Sequence, residues 1–137
     1  QDPKSQYSSV ISKWIYQLKN NQKINIYGNG LTTRDFCSID NVVFFLLMSL
    51  KKKINKNEIF NLACGNSITL NKLAKILIFN IKKNKNFSKF VQYKKFKKGD
   101  IYKSRADISK IKEKIYAKVP FKTAKSLKNL IKKFKTD

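Results

Sequence analysis

Tyr27-Gly28-Asn29-Gly30-Leu31-Thr32-Thr33-Arg34-Asp35-Phe36, followed by Ile39-Asp40-Asn41-Val42, is the most informative stretch of the chain. Just before it, Ile24-Asn25-Ile26-Tyr27 alternates as a strand does, and Gly28-Asn29-Gly30 is a turn signal that ends the strand. The glycines permit a tight turn with its backbone exposed. An arginine held beside such a turn suits bidentate capture of a phosphate; a surface ion pair between Arg34 and Asp35 is the plainer alternative. A second short strand is expected around Phe36, and Asp40 is expected to cap a helix from Asn41 to about Lys52.

Working outward, Val10, Ile11, Trp14, Ile15 and Leu18 recur as one helical face, which predicts a helix from about Tyr7 to Asn20. Val42 to Met48 is apolar on every face, so a soluble helix there has to be covered all round. Glu58 to Ala63 reads as a buried strand broken by Gly65 and Asn66. Thr69 is placed to cap a helix with Leu70, Leu73, Ala74, Leu77 and Ile81 inward. Phe90 to Phe96 reads as a strand and Gly99-Asp100 as a turn. Two helices follow: Asp107 to Ile115 with Ile108, Ile111 and Ile115 inward, and Thr123 to Phe134 with Ala124, Leu127, Ile131 and Phe134 inward. These elements give a mixed α/β chain, mostly helices with a few short strands that do not close a sheet among themselves. Together with the all-apolar helix, that points to a partner layer not supplied by these residues.

The 137 residues have the size of one domain, and a 42% hydrophobic content is enough for a core. No apolar run approaches the roughly 20 residues that span a bilayer, and no charged-then-apolar leader opens the sequence, so neither a membrane nor a secretion signal is expected. Cys37 and Cys64 belong to no paired motif and there is no histidine. No metal-ligand set follows, and free buried thiols of a cytoplasmic protein are expected. The net charge of +23 would attract polyanions non-specifically. Only Arg34 and Arg105 are arginines, so 29 of the 31 basic residues are lysines, spread along the whole chain. Phosphate-reading surfaces draw on arginine for its planar fork. An AT-biased genome would also supply such a composition by drift, which the base composition of the gene tests. Phe87 to Lys98, where aromatics recur among lysines, is the stretch that speaks for a basic nucleic-acid-binding module. A half-buried strand with a solvated lysine edge is its structural alternative.

The ordered pattern resembles the extended short-chain dehydrogenase/reductase family of NAD-dependent nucleotide-sugar epimerases and dehydratases. Those enzymes carry a Y-G-x-G-x-x-x-R-D-F segment followed by an aspartate at a helix start. Gln1-Asp2-Pro3 with Val10-Ile11-Ser12-Lys13-Trp14, then Phe60-Asn61-Leu62-Ala63-Cys64-Gly65, then Thr69-Leu70 with Leu73, follow in the family's order. Lys97-Lys98-Gly99-Asp100 with Ser104 and Ala106-Asp107 is similar to its R-x-G-D…S-x-A-D segment. The Q-D-P, V-I-x-K-W and R-D-F-C-x-I-D-N combination looks most like UDP-N-acetylglucosamine 4-epimerases of bacterial surface-polysaccharide pathways. The resemblance implies that residues 1–137 are one substrate-binding region, the carboxyl-terminal part of a Rossmann-type fold.

At the matched positions the resemblance implies that Arg34 grips the diphosphate of a UDP-sugar and that Asp100 accepts from a ribose hydroxyl. It implies Tyr27 near the uracil, the backbone at Val10 along its edge, and Lys97 assisting with phosphate. The plain alternatives are a half-buried strand aromatic for Tyr27, a turn aspartate for Asp100, and one lysine among many for Lys97. Lys97 and Tyr102 stand where the family carries arginine-like residues, so fork geometry is lost there. NAD is the implied cofactor, yet no Gly-rich dinucleotide turn and no Y-x-x-x-K pair in the family's place occur in these residues, so no catalytic residue is assigned. Tyr93 and Lys97 have the right gap in the wrong region. The expectation is a truncated or split form, inactive alone, with an N-terminal NAD-binding domain missing or separately encoded. The family also implies homodimers, and no specific nucleic-acid partner.

Overall fold

The computed structural model describes residues 9–52, 57–96, 98–115 and 118–134. Its elements are α1 (Val10–Lys19), β1 (Ile24–Tyr27), β2 (Thr33–Arg34), α2 (Ile39–Lys51), β3 (Ile68–Thr69), α3 (Leu70–Lys82), β4 (Val91–Lys94), α4 (Ser109–Ile115) and α5 (Thr123–Lys133). A single 3-10 turn, Ser88–Phe90, leads into β4. The strands form two separate pairs: β1 runs parallel to β4 with Ile24 opposite Val91, and β2 runs antiparallel to β3 with Arg34 opposite Ile68. The fold is α/β, mostly helical, as the sequence indicates.

The helical stripes build two cores. Trp14, Ile15 and Leu18 of α1 pack with Leu73, Ala74 and Leu77 of α3 and with Leu127 and Ile131 of α5, over Ile24 and Ile26 of β1. Each fully buried aliphatic side chain there contributes about 1.5–3 kcal/mol relative to exposure. The second core is smaller: Phe45 of α2, Ala63, Ile108, and Ile111 and Ile115 of α4. Thr69 caps α3 as expected, its hydroxyl accepting from Lys72 N at 3.1 Å. Asn21 and Lys83 take left-handed backbone where α1 and α3 end.

Several expectations are corrected. Tyr7 and Ser8 lie outside the described residues, and α1 begins at Val10. The strand expected around Phe36 is instead Thr33–Arg34, because Asp35 leaves the ladder to accept from Cys64 N and Gly65 N. Ser38, not Asp40, caps α2, its hydroxyl accepting from Asn41 N at 3.4 Å. Asp40 sits in the first turn, where its charge favours the helix N-terminus. Glu58–Ala63 forms no strand. Burial does alternate there, with Phe60 and Leu62 half-buried and Ile59 89% exposed, but no described strand runs alongside to complete a ladder. The strand expected over Phe90–Phe96 shortens to Val91–Lys94. Ala124 is exposed, and Ile78 takes the inward place on α3 beside Leu77. Only one face of α2 is covered: Asn41 and Phe45 are buried, while Val43, Leu46, Leu47 and Leu50 stand exposed.

Candidate functional site

The glycine turn is held by the helix that follows β3. Gly28 N donates to Lys94 O at 2.8 Å, so the turn starts where the β1–β4 ladder ends. Asn29 Oδ1 accepts from Leu31 N, and Asn71 of α3 clamps the far side. Asn71 Nδ2 donates to Asn29 O, its backbone N donates to Gly30 O, and its Oδ1 accepts from the Tyr93 hydroxyl, all within 3.0 Å. Gly30 has φ +76°, and a Cβ there would stand 2.0 Å from Asn71 Oδ1. Gly30→Ala therefore adds left-handed strain of about 1–2 kcal/mol to the loss of one or two hydrogen bonds worth about 1 kcal/mol each. Urea unfolding is expected to show a destabilisation of roughly 2–4 kcal/mol; a change under about 0.5 kcal/mol would mean that the clamp is not made.

Arg34 is the focus of the polar geometry. Residues 102–104 run beside β2, with Thr33 N donating to Tyr102 O at 3.0 Å and Ser104 N donating to Thr33 O at 3.2 Å. That alignment carries Asp100 and Ile101 onto the guanidinium. Arg34 Nη2 donates to Asp100 Oδ1 at 2.6 Å, and Nη1 donates to Ile101 O at 2.5 Å and Thr33 O at 2.9 Å. Both side chains keep partial access to water, at 25% and 34%. Three of the five guanidinium N–H groups are thus committed, which fixes the plane and leaves two donors for a ligand. The surface pair between Arg34 and Asp35 is not formed; Asp35 instead accepts from Cys64 N at 3.1 Å and Gly65 N at 2.8 Å.

Arg34 and Asp100 are the sequence-derived site residues that the structure brings together. Tyr27 is half-buried at the end of β1, separated from Arg34 in the chain by the turn. Val10 is the first residue of α1 and packs against the larger core. Lys97 lies outside the described residues. Tyr102, where the family carries an arginine-like residue, stacks obliquely on Phe96 at 6.3 Å. Of the aromatics that speak for nucleic-acid stacking, Phe87 and Phe90 turn into the larger core.

Two polar supports escaped the sequence: the Asn71 clamp, and Asn41, which is fully buried and joins α2 to Phe121. Its Nδ2 donates to Phe121 O at 2.9 Å and its Oδ1 accepts from Phe121 N at 3.0 Å. The nearby thiols are free and half-buried. Cys64 Sγ lies 3.3 Å from Phe36 O and 3.4 Å from Asn41 Nδ2. Burial, then Cys64, then the Asp35 charge push the Cys37 thiol up to about 11, with Asn41 pulling the other way. At pH 8 only about one Cys37 in a thousand is then thiolate. Iodoacetamide should label it slowly at pH 8 and speed up only as the pH nears 11 or the protein unfolds. Labelling at the rate of a free thiol would contradict that packing.

The fold matches part of the Rossmann-like fold of sugar-nucleotide epimerases and short-chain dehydrogenases. It superposes on UDP-glucose 4-epimerase of Thermotoga maritima, solved with UDP-glucose, with a TM-score of 0.84 and 29% identity over 99% of this chain and 42% of that one. UDP-N-acetylglucosamine 4-epimerase of Methanobrevibacter ruminantium, in complex with UDP-N-acetylmuramic acid, gives 0.84 and 30% over the same shares. UDP-glucuronate 4-epimerase of Thermodesulfobacterium geofontis is 40% identical over 103 residues, 74% of this chain and 29% of that protein. Residues 1–63 match the model of the NAD dependent epimerase/dehydratase family. Together these similarities support that family for the chain, with UDP-sugar 4-epimerases as its homologues. The chain spans about a third of the length of the curated relatives it matches, 33% and 29%.

The family is NAD-dependent, but the described residues offer no cradle for that cofactor. The glycine turn leads into β2 rather than a helix, and the space beside Gly28 and Gly30 is filled by Phe96 and Asn71. No described helix is long and apolar enough to cross a membrane.

Proposed function

We propose that these residues form the UDP-sugar-gripping part of an NAD-dependent UDP-N-acetylhexosamine 4-epimerase. The observation that carries the reading is the anchored Arg34, held by Asp100 and Ile101 beside the glycine turn with N–H donors to spare. In this reading Arg34 binds the diphosphate and Asp100 a ribose hydroxyl. Tyr27 lies by the uracil, the Val10 backbone by its edge, and Lys97 assists with phosphate. The UDP-sugars named with the relatives support the substrate class, and the 30% likeness to a UDP-N-acetylglucosamine 4-epimerase supports the hexosamine. Positioning is the contribution of these residues. The dinucleotide cradle and the proton-transferring Tyr–Lys pair come from residues outside these 137, on the same polypeptide or a separately encoded half.

The test is interconversion of UDP-N-acetylglucosamine and UDP-N-acetylgalactosamine with NAD, followed by NMR. The native-length protein is expected to turn over and the 137-residue polypeptide alone is not. Turnover of UDP-glucose without the N-acetyl sugar would overturn the hexosamine assignment, and turnover by the 137 residues alone would overturn the division of labour.

A further inference from the structure

A cavity of about 690 Å³ opens between α3, α4 and the loop that enters α5. Neither Arg34 nor Asp100 lines it, although Ile68 of its wall stands opposite Arg34 in the β2–β3 ladder, so it adjoins the site described above without sharing its two polar residues. Its size is that of a small-molecule site. Ile68, Ile76 and Val119 make an apolar wall, and four lysines surround it: Lys72 on α3, Lys112 on α4, and Lys118 and Lys122 on the loop. No carboxylate among the described residues lines it. Among the described residues, the ammonium groups of Lys72, Lys118 and Lys122 have no ion-pair partner. The first turn of the 11-residue α5 also borders the cavity; it has no side-chain cap and no acidic residue, so its N-terminal dipole adds to the same positive field. Lysines scattered over a convex surface spread apart in water, whereas these border one concavity, where their mutual repulsion favours a bound counter-anion.

We infer that this cavity is a second anion site, taking a small phosphorylated ligand whose apolar part rests on Ile68, Ile76 and Val119. A phosphate group answers the lysines and a ring or short apolar moiety answers the wall. The bare charge of +23 attracts any anion weakly and without saturation, whereas a cavity with an apolar wall selects by shape as well as charge.

The experiment is titration calorimetry of the native-length protein with phenyl phosphate, at fixed ionic strength. Saturable one-to-one binding is expected. The triple variant Lys72→Gln, Lys118→Gln, Lys122→Gln should weaken it about tenfold or more. An equal change of charge elsewhere, Lys85→Gln, Lys89→Gln, Lys128→Gln on exposed positions, should leave it within about twofold. Val119→Trp fills the cavity without altering charge and should abolish binding, while Arg34→Gln should not affect it. Circular dichroism checks that each variant is folded. Absence of saturable binding, equal weakening by the two lysine triples, or unchanged binding by Val119→Trp would each overturn the site.

Discussion

Arg34→Ala is expected to raise the KM of the native-length protein for the proposed UDP-sugar about a hundredfold, with a smaller change in kcat. A guanidinium–phosphate contact is charge-assisted and worth about 1.5–3 kcal/mol, and a hundredfold corresponds to about 2.7 kcal/mol. The loss is expected on KM because, in the proposed role, the diphosphate is held equally in ground and transition states. The wild-type protein starts with the side chain fixed: Asp100, Ile101 and Thr33 hold the guanidinium, so little rotamer freedom is lost on binding. Arg34→Lys should recover only part of the affinity, because an ammonium keeps the charge but not the fork. Asp100→Asn tests the anchor. If the pair acts as a unit, the double variant should lose less than the sum of the single ones, by about 0.5–3 kcal/mol. An unchanged KM in Arg34→Ala, with the thermal midpoint intact, would remove the assigned role.

How much of this was legible in the sequence depended on whether a feature is local. β1, the glycine turn, the Thr69 cap and the inward stripes of α1, α3, α4 and α5 rest on period and capping chemistry within a few residues, and they are found where the pattern puts them except at Ala124, which is exposed. The α2 cap was missed by two residues because Ser38 and Asp40 are both good caps, and only the backbone direction after Phe36 selects between them. Glu58–Ala63 has a strand's pattern, but a strand needs a neighbour, and composition says nothing about whether one lies alongside. The meeting of Arg34 with Asp100 spans 66 positions and depends on the Thr33–Lys103 bridge. Only the ordered resemblance, not spacing or charge, pointed to those two residues together. Asn71 carries no signal at all, since a polar side chain that satisfies distant backbone looks like any surface asparagine; Asp35 and Asn41 stand in the motif, but nothing in it names the distant backbone that each satisfies.

Asn41→Leu is expected to lower the unfolding free energy by about 3–5 kcal/mol, although leucine keeps the same number and branching of heavy atoms. Asn41 has no exposed surface, and its amide satisfies both Phe121 N and Phe121 O. Leucine fills the space but leaves that buried donor and acceptor without partners, at about 1–3 kcal/mol each. Asn41→Asp separates the two contributions. Its carboxylate can still accept from Phe121 N but faces Phe121 O with no proton. That variant should be weak at neutral pH and recover as the pH falls, because a neutral carboxyl can donate to the carbonyl. The sign follows from linkage: burial and the facing oxygen raise the folded-state pKa, so stability is present at low pH and lost as pH rises through that value. The consequence reaches beyond one bond. Asn41 belongs to α2, which carries Phe45 of the smaller core, while Phe121 leads into α5, whose Leu127 and Ile131 belong to the larger one. Losing the link should uncouple the two cores, so that urea unfolding followed by Trp14 fluorescence, which reports the larger core, departs from unfolding followed by circular dichroism. A loss under about 1 kcal/mol with coincident transitions would mean that water replaces the amide and that the cores are held together by other contacts.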